Sequence, residues 1–420
     1  MALTKVDISM MLNTGTTANK LLVSDGSGNL PAVDGSQLTN LNTGITKSSS
    51  DPTISTNPSG GVGTEWHNTT SGEVYLCTDA TTGENVWTNV GDGTGDIAPW
   101  DNYGYKSGGH YAAPWRSASV ERYPFASDTN STDWCDLVMT MDSFGACSSA
   151  TDGYTMDGHT DGSPQPGTDI VSKFSFSSGA TGTSVGNCSE GTSYHNYGGA
   201  ACQDIPGGYG YHFGGHTTYG EHGGNQWEHE TIERVSFSSG GNMTDHGNLK
   251  YAAYRGGGVN SSTYGYSFGG TNQNNTTFGI SPWAAQSWGP DITKFAFSSN
   301  SLGTDVGDLT TGVTYTDGVH TASYGWRMGS QNPAASNIID RWSFSADGNA
   351  TDVADMSVAK SNLACAQSAT HGYAAGGEIS WPNFVTHLEK FNFSTQVNST
   401  NVADVGDNNH YGHGMGGHES

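Results

Sequence analysis

One sequence phrase occurs six times between residues 104 and 393 of the chain. Each copy has a Gly-aromatic dipeptide followed in most copies by a Gly pair, then a loop, then a segment ending in Phe, with a Thr seven residues beyond that Phe. A fixed period of about 50 residues is typical of propellers and repeat arrays. The six dipeptides are Gly104-Tyr105, Gly153-Tyr154, Gly210-Tyr211, Gly265-Tyr266, Gly325-Trp326 and Gly372-Tyr373, and the six Phe and Thr pairs are Phe125/Thr132, Phe176/Thr183, Phe237/Thr244, Phe297/Thr304, Phe344/Thr351 and Phe393/Thr400.

The composition indicates a folded, all-β chain. Only 33% of the 420 residues are hydrophobic and 61 are Gly, but 11 Trp, 19 Tyr and 14 Phe argue against disorder, because disordered chains are poor in aromatic residues. Aromatic-rich segments broken by frequent Gly are typical of short β-strands and turns.

The charge balance restricts the partners. A formal net charge of -25, from 40 acidic and 15 basic residues, repels phosphate backbones and anionic membranes. We therefore expect no nucleic-acid binding. The first ten residues contain no apolar signal region and no apolar run reaches about 18 residues, which predicts neither a signal peptide nor membrane insertion. The six Cys lack CxxC spacing and are expected to be reduced thiols in core positions.

Spacing within the repeat predicts four strands per copy. We name the Gly-aromatic strand b, the Phe strand c and the following Thr strand d; a fourth strand, a, precedes b. The c–d step is the same in all six copies, which predicts a tight hairpin with a fixed register. Four antiparallel strands repeated six times predict a six-bladed β-propeller. The repeat begins at strand b, so the tail after Val405 is expected to supply strand a of the first blade and close the ring.

Three domains follow from this pattern. Residues 1–50 are poor in apolar residues and need a partner surface, so they are interpreted as an N-terminal attachment and oligomerisation arm. Residues 51–97 are expected to form a small β-hairpin module ending in a Gly-rich hinge, and residues 98–420 the propeller.

Alternating strand directions divide the propeller into two faces. The a–b and c–d turns share one face, here called the turn face. The b–c and d–a connections share the other, here called the loop face, and these vary in length. Because loops on a rigid scaffold carry recognition, the loop face is the expected binding face, whereas the N-terminal arm enters on the turn face.

The blade phrase resembles kelch-type propellers. Segments such as Lys173-Phe-Ser-Phe-Ser-Ser178 and Ala350-Thr-Asp-Val-Ala-Asp355 are similar to kelch-like repeats of marine bacteriophage structural and tail-fibre proteins, and Ser24–Leu38 and Asn85–Asp96 resemble segments of such virion proteins. The resemblance implies a virion-bound appendage, made in the host cytoplasm and later extracellular. It also implies other virion subunits as partners of residues 1–50, and a homotrimer joined through the arm.

Two loops of the loop face contain the candidate ligand-binding residues. Exposed aromatic rings stack on sugars and amides bind hydroxyl groups, so a host-surface glycan is the expected ligand, with a host protein as the other possibility. The alternative role of these Trp side chains is to hold a long loop against the disc. The candidates are Tyr219, Trp227, Asn274, Asn275, Trp283 and Trp288.

Metal binding and catalysis are both disfavoured. His222 and His229 in one loop, and His410 and His413 in the tail, are weak metal candidates because no ligand spacing supports them. No paired-carboxylate or nucleophile motif is present, and the Arg residues are scattered, so we expect neither an enzyme nor a cofactor. The predicted function is a phage tail-fibre or receptor-binding appendage. The alternatives are a neck, collar, head-fibre or capsid-decoration protein, and a propeller enzyme acting on host polysaccharide.

Overall fold

The structure is a computed structural model, and it describes residues 45–90, 102–110, 116–160, 167–189, 196–217, 227–272, 287–331, 333–406 and 413–415. Every named element in these ranges is a β-strand, so the chain is all-β, as its composition predicts.

A four-stranded sheet precedes the repeats; we call it the β module. Its core is formed by fully buried Tyr75, Cys77 and Trp87, and the Trp66 ring meets the Trp87 ring edge-on at 5.8 Å. The first strand falls within the segment predicted as the arm and pairs in parallel with the second, while the other pairs are antiparallel. In sheet order the strands are β1 (Ile45–Ser48), β2 (Glu65–Asn68), β3 (Val74–Asp79) and β4 (Val86–Asn89).

The repeats form antiparallel sheets in which strands a, b, c and d are neighbours in that order. Strands a are β8 (Gly145–Ser148), β14 (Ala200–Asp204), β20 (Gly257–Asn260), β26 (Asp317–His320), β30 (Ala364–Gln367) and β36 (His413–Met415). Strands b are β5 (Tyr103–Ser107), β9 (Asp152–Met156), β15 (Tyr209–Phe213), β21 (Tyr264–Phe268), β27 (Tyr324–Gln331) and β31 (His371–Ala375).

The outer two strands of each sheet are c and d. Strands c are β6 (Ser117–Pro124), β11 (Ile170–Ser175), β18 (Thr231–Ser236), β24 (Asp291–Ala296), β28 (Ala335–Ser343) and β34 (His387–Asn392). Strands d are β7 (Thr132–Asp142), β12 (Thr183–Asn187), β19 (Thr244–Asn248), β25 (Thr304–Asp308), β29 (Thr351–Asp355) and β35 (Thr400–Asp404).

Short ribbons lie on the loop face, in the b–c and d–a connections. One of them, β10, extends the first sheet by pairing with β7. The ribbon strands are β10 (His159–Thr160), β13 (Asn196–Tyr197), β16 (His216–Thr217), β17 (Trp227–Glu228), β22 (Thr271–Asn272), β23 (Ser287–Trp288), β32 (Glu378–Ser380) and β33 (Asn383–Phe384).

The c–d register is constant, as the spacing predicts. Every strand d begins at the repeated Thr, and that Thr pairs with a basic residue of strand c, for example Thr183 with Lys173. Each c–d pair also has a register shift at the equivalent position. The repeated spacing therefore reflects one hairpin geometry.

The Gly of the Gly-aromatic dipeptide makes room for a ring on the neighbouring strand. Gly265 lies opposite Phe295 in the b–c register, and a Cβ at Gly265 would come within 2.3 Å of the Phe295 ring. The Gly pair after strand b has a different cause, since Gly269 and Gly270 both have left-handed backbones, with φ of 64° and 91°. Gly adopts this conformation without a steric cost.

The repeated aromatic residue of strand b stacks on the repeated Phe of the next sheet. Ring centroids lie 4.5–4.9 Å apart in these contacts. The two parts of the repeated phrase therefore meet across a sheet–sheet boundary. The pairs are Tyr105–Phe176, Tyr154–Phe237, Tyr211–Phe297, Tyr266–Phe344, Trp326–Phe393 and Tyr373–Phe125.

Buried carboxylates also connect neighbouring sheets. Glu389 on strand c accepts a hydrogen bond from Ser357 Oγ at 2.6 Å, and Ser357 follows strand d of the preceding sheet. Thr310 Oγ1 donates to Asp340 in the same way at 2.7 Å, and Ser189 N donates to Glu233 at 2.9 Å. Each carboxylate is thus stabilised in the core by groups of the adjacent sheet.

We expect Phe344→Ala to lower the free energy of unfolding by about 2–4 kcal/mol, because it removes the ring that stacks on Tyr266. Urea unfolding followed by tryptophan fluorescence measures this change. Val397→Ala is the control, because Val397 is exposed and its truncation should cost less than about 0.5 kcal/mol. Equal unfolding midpoints for the two variants would contradict a stabilising stack.

Candidate functional site at the loop-face mouth of the central cavity

A central cavity lies between the strands a. It encloses about 570 Å³, including the part open to solvent, and strands β8, β14, β20, β26 and β30 line it. These strands contain mostly small residues, such as Gly257 and Gly258 of β20 and Ala364, Cys365 and Ala366 of β30. Small side chains allow the backbones of neighbouring strands a to lie close together, and they leave the space at the centre open.

Polar side chains connect the strands a at the turn-face end of the cavity. Gln203 Oε1 accepts from the Ser148 backbone N at 3.4 Å, and Asn260 Oδ1 accepts from the Gln203 N at 3.5 Å. Gln367 Oε1 accepts from the His320 N at 3.0 Å. These groups occupy equivalent positions at or near the end of strand a, so their main role is to hold neighbouring sheets together.

The loop-face end is bordered by residues with left-handed backbones, two positions before each strand a. Four backbone hydrogen bonds connect five of these residues in a row, at 2.6–3.0 Å: the N–H of each of the last four donates to the carbonyl of the equivalent residue in the preceding sheet. We call this set the rim. Its described members are Ser143, Gly198, Arg255, Tyr315 and Asn362, with φ of 53–71°.

Four of the five rim residues are not Gly, although this conformation is costly for other residues. The Arg255 guanidinium lies between the rings of Tyr254 and Tyr315, 4.5 and 4.3 Å from their centroids. A cation held between two aromatic rings and the Asn362 amide thus belong to, or lie next to, the rim. Such a combination can bind a polar ligand through hydrogen bonds and ring contacts.

Asp317 lies at the loop-face end of the cavity, where the equivalent strands a carry Ala or Gly. Burial raises the pKa of Asp317 to about 7, although the backbone N–H groups of Cys365 and Gly318 each donate to its carboxylate at 2.8 Å and oppose the shift. Both the neutral and the charged form are therefore populated near pH 7. The group can donate or accept a hydrogen bond toward a ligand in the cavity.

A hairpin of the sixth b–c connection stands beside the rim and carries the most exposed described Trp of the loop face. Trp381 is 59% exposed, and its ring meets the Phe384 ring edge-on at 5.5 Å and the His110 ring at 6.1 Å. Asn362 Nδ2 donates to Glu378 at 3.1 Å, which joins the hairpin to the rim. Trp381 therefore presents an exposed ring, supported by Phe384, on a hairpin that is joined to the rim.

Only some of the candidate residues from the sequence lie in the described ranges. Trp288 is half-buried in β23, and Trp227 belongs to β17, so the two lie in separate ribbons. His229 is half-buried, its N–H donating to the Gly215 carbonyl at 2.9 Å, and His413 lies in β36. Outside the described residues lie Tyr219, His222, Asn274, Asn275, Trp283 and His410.

The described residues contain no group of three or more His, Cys, Asp or Glu side chains arranged to hold a metal ion. All six Cys are free thiols and are buried, which confirms the expected core positions. No helix in the described part of the chain is long and apolar enough to cross a membrane.

One buried ion pair outside the cavity joins His212 to Asp157. His212 Nε2 lies 2.9 Å from an Asp157 carboxylate oxygen; burial lowers the pKa of His212, but Asp157 outweighs this effect and the net pKa is raised. Both side chains are almost fully buried, and a Cβ on Gly199 would touch the His212 ring. This pair is closed to ligands and acts in packing two sheets together.

Sequence reasoning missed the rim and Trp381. The rim residues differ in type, so no motif identifies them, but their constant position two residues before strand a is a periodic signal. Trp381 lies in one of the shorter b–c connections. The candidate residues named from the sequence lie in the two longest, residues 216–234 and 271–294.

No protein-family model matches the chain, and a search of the curated proteins finds no match.

We expect the stability contribution of Asp317 to depend on pH. Its folded pKa of about 7 exceeds the unfolded value of about 3.9, so the folded state binds more protons between these values and the contribution is lost as pH rises through 7. Asp317→Asn should remove this dependence. The test compares unfolding free energies of the two proteins from pH 4 to pH 8.

The free energy of unfolding of Asp317→Asn relative to the parent protein should rise by about 3–4 kcal/mol over that range, because the two pKa values lie about three units apart and each unit corresponds to about 1.4 kcal/mol. Exposed Asp133→Asn controls for the loss of one negative charge. A difference that stays constant with pH would show that the Asp317 carboxyl titrates normally.

Proposed function

We propose that the repeat sheets form a closed six-bladed propeller, with β36 as strand a of the first blade. Three contacts between the chain ends support this proposal. Met415 and Gly414 of β36 pair with Tyr105 and Lys106 of β5, and β36 also contacts β8 and β30. Tyr373 of the last repeat stacks on Phe125 of the first at 4.7 Å. The Lys390 Nζ also lies 2.8 Å from Asp128.

A double-mutant cycle on Tyr373→Leu and Phe125→Leu tests closure. If the last blade docks on the first, the two substitutions should be coupled by about 0.5–1.5 kcal/mol in the free energy of unfolding. The Tyr266 and Phe344 pair provides the matched cycle within the ring. Simple additivity for the first cycle, beside coupling in the second, would exclude closure through this contact.

We further propose that the chain is a bacteriophage virion appendage that attaches through its N-terminal segment and presents the loop face to a host-surface glycan. The virion assignment rests on the sequence resemblance. Recognition by the loop face is supported by one observation above all: Asp317 and the rim border the loop-face end of the central cavity, and the exposed Trp381 belongs to a hairpin joined to that rim, on the face whose connections vary between repeats. Multivalent weak contacts would give such an appendage avidity without catalysis.

A structural role in the neck, collar or head is the second candidate. It is favoured by exposed aliphatic side chains in the constant c–d turns, Leu302 at 58% and Val397 at 61% exposure. These side chains lie on the turn face, so they would contact other virion subunits and leave the loop face unused.

The Trp381→Ala variant tests recognition by the loop face. We expect the full chain to bind host cells or a glycan array and the variant to lose at least tenfold in affinity, because the removed indole would stack on a sugar ring. Val62→Ala, an exposed position of the β module, is the control and should bind normally.

Absence of binding by the full chain to both host cells and glycans would overturn the recognition proposal and leave the structural role. Binding that is equal in the Trp381 and Val62 variants would remove Trp381 from the site. Shortening of host polysaccharide by the parent protein would instead support an enzyme.

A further inference from the structure

One basic residue occupies the equivalent position on strand c of every repeat sheet, near its turn-face end. The Arg residues are scattered along the chain, but Arg122, Arg234 and Arg341 are structurally equivalent, because each pairs with the first Thr of strand d. Arg and Lys alternate around the six sheets. In chain order these residues are Arg122, Lys173, Arg234, Lys294, Arg341 and Lys390.

Each of the three Lys residues forms an ion pair with a carboxylate of the same chain. Lys173 Nζ lies 3.1 Å from Asp152 of its own sheet. Lys294 Nζ lies 2.8 Å from Asp347, which belongs to the c–d turn of the next sheet. Lys390 meets Asp128 of the first sheet in the same way, also at 2.8 Å. Each ammonium group of the alternate sheets therefore has a carboxylate.

Arg122 is bound by a residue of the β module. Its guanidinium lies over the Tyr103 ring at 4.1 Å and forms an ion pair with Glu84 at 2.9 Å. Two residues further on, Val86 is buried in the same core cluster as Tyr105. A carboxylate followed by an aliphatic side chain is thus the unit that docks on this site.

Arg234 and Arg341 repeat the contact with the first Tyr of strand b, without the second ring that Trp134 supplies to Arg122, and have no such carboxylate. Their guanidinium groups lie over Tyr209 and Tyr324 at 4.4 and 4.6 Å, and neither forms an ion pair with a carboxylate of the described residues.

The neighbouring turns differ in a matching way. Where the turn beyond Lys294 supplies Asp347, the turn of the sheet that follows Arg234 carries exposed Leu302. The turn of the sheet that follows Arg341 carries exposed Val397. These two turns therefore contain an exposed apolar side chain and no carboxylate.

We propose that Arg234 with Tyr209, and Arg341 with Tyr324, are two docking sites for a partner protein that presents a Glu and a nearby aliphatic side chain, as Glu84 and Val86 do at Arg122. The sites lie on the turn face, so the proposal is independent of host recognition by the loop face. Within the proposed virion, the partner is a structural subunit.

The residue types fit this role. A guanidinium binds a carboxylate through two parallel hydrogen bonds, and it loses less on leaving water than an ammonium does. Arg and Tyr are also enriched among the residues that dominate protein interfaces. The alternation is explained if Lys closes contacts within the chain and Arg serves contacts made by a separate structural unit.

The probe is a blocked, fluorescently labelled peptide with the sequence of residues 81–89, which contains Glu84 and Val86. Fluorescence anisotropy at low ionic strength follows its titration with the full chain. We expect saturable binding with a dissociation constant on the order of 1 mM or below, and at least tenfold weaker binding to the Arg234→Gln/Arg341→Gln protein.

The Lys294→Gln/Lys390→Gln protein is the matched control and should bind the peptide as the parent does. Gln in place of Glu84 in the peptide should abolish binding, and added salt should weaken it. Three outcomes would overturn the proposal: no saturable binding by the parent, equal affinity of the Arg double variant, or binding lost only in Arg122→Gln, which would show displacement of the β module.

Discussion

The stack of a strand-b aromatic ring on the Phe of the next sheet is the contact on which the architecture depends. It joins the two parts of the repeated phrase, which are distant within one repeat but meet between repeats, as Tyr266 and Phe344 do. A single sheet of four short strands cannot cover its own apolar face, so each sheet is stable only against a neighbour. The same contact recurs between Tyr373 and Phe125, at opposite ends of the repeat region.

Polar contacts between sheets favour one order of neighbouring sheets. The carboxylates of strand c, such as Glu389 and Asp340, accept hydrogen bonds from the sheet that precedes them as well as from their own sheet. A buried carboxylate without these donors would destabilise the core, so the contacts disfavour other sheet orders. At the loop face, the backbone hydrogen bonds of the rim also connect neighbouring sheets. Together they make a scaffold whose surface loops can vary without loss of the core.

The two faces differ in chemistry. The loop face combines a cavity mouth, Asp317 with a pKa near 7 and an exposed Trp381, while the turn face carries the alternating cations. Arg234 and Arg341 each lie over a Tyr ring on the turn face, whereas the cavity opening and the exposed indole ring lie on the opposite face.

The sequence alone determined the all-β class, the strand positions within each repeat and the constant c–d register, because these depend on spacing along the chain. Thr183 and its five equivalents begin strand d as the spacing predicts. Only the tertiary structure decided which residues meet across sheets. Asp317, Arg255 and Trp381 come from different repeats, and no local sequence pattern shows that they lie on the same side of the cavity, around or beside the rim. The same holds for Arg122 and Glu84, whose pairing depends on how the β module docks. Periodicity reports local geometry, whereas a site assembled from several repeats depends on their relative placement.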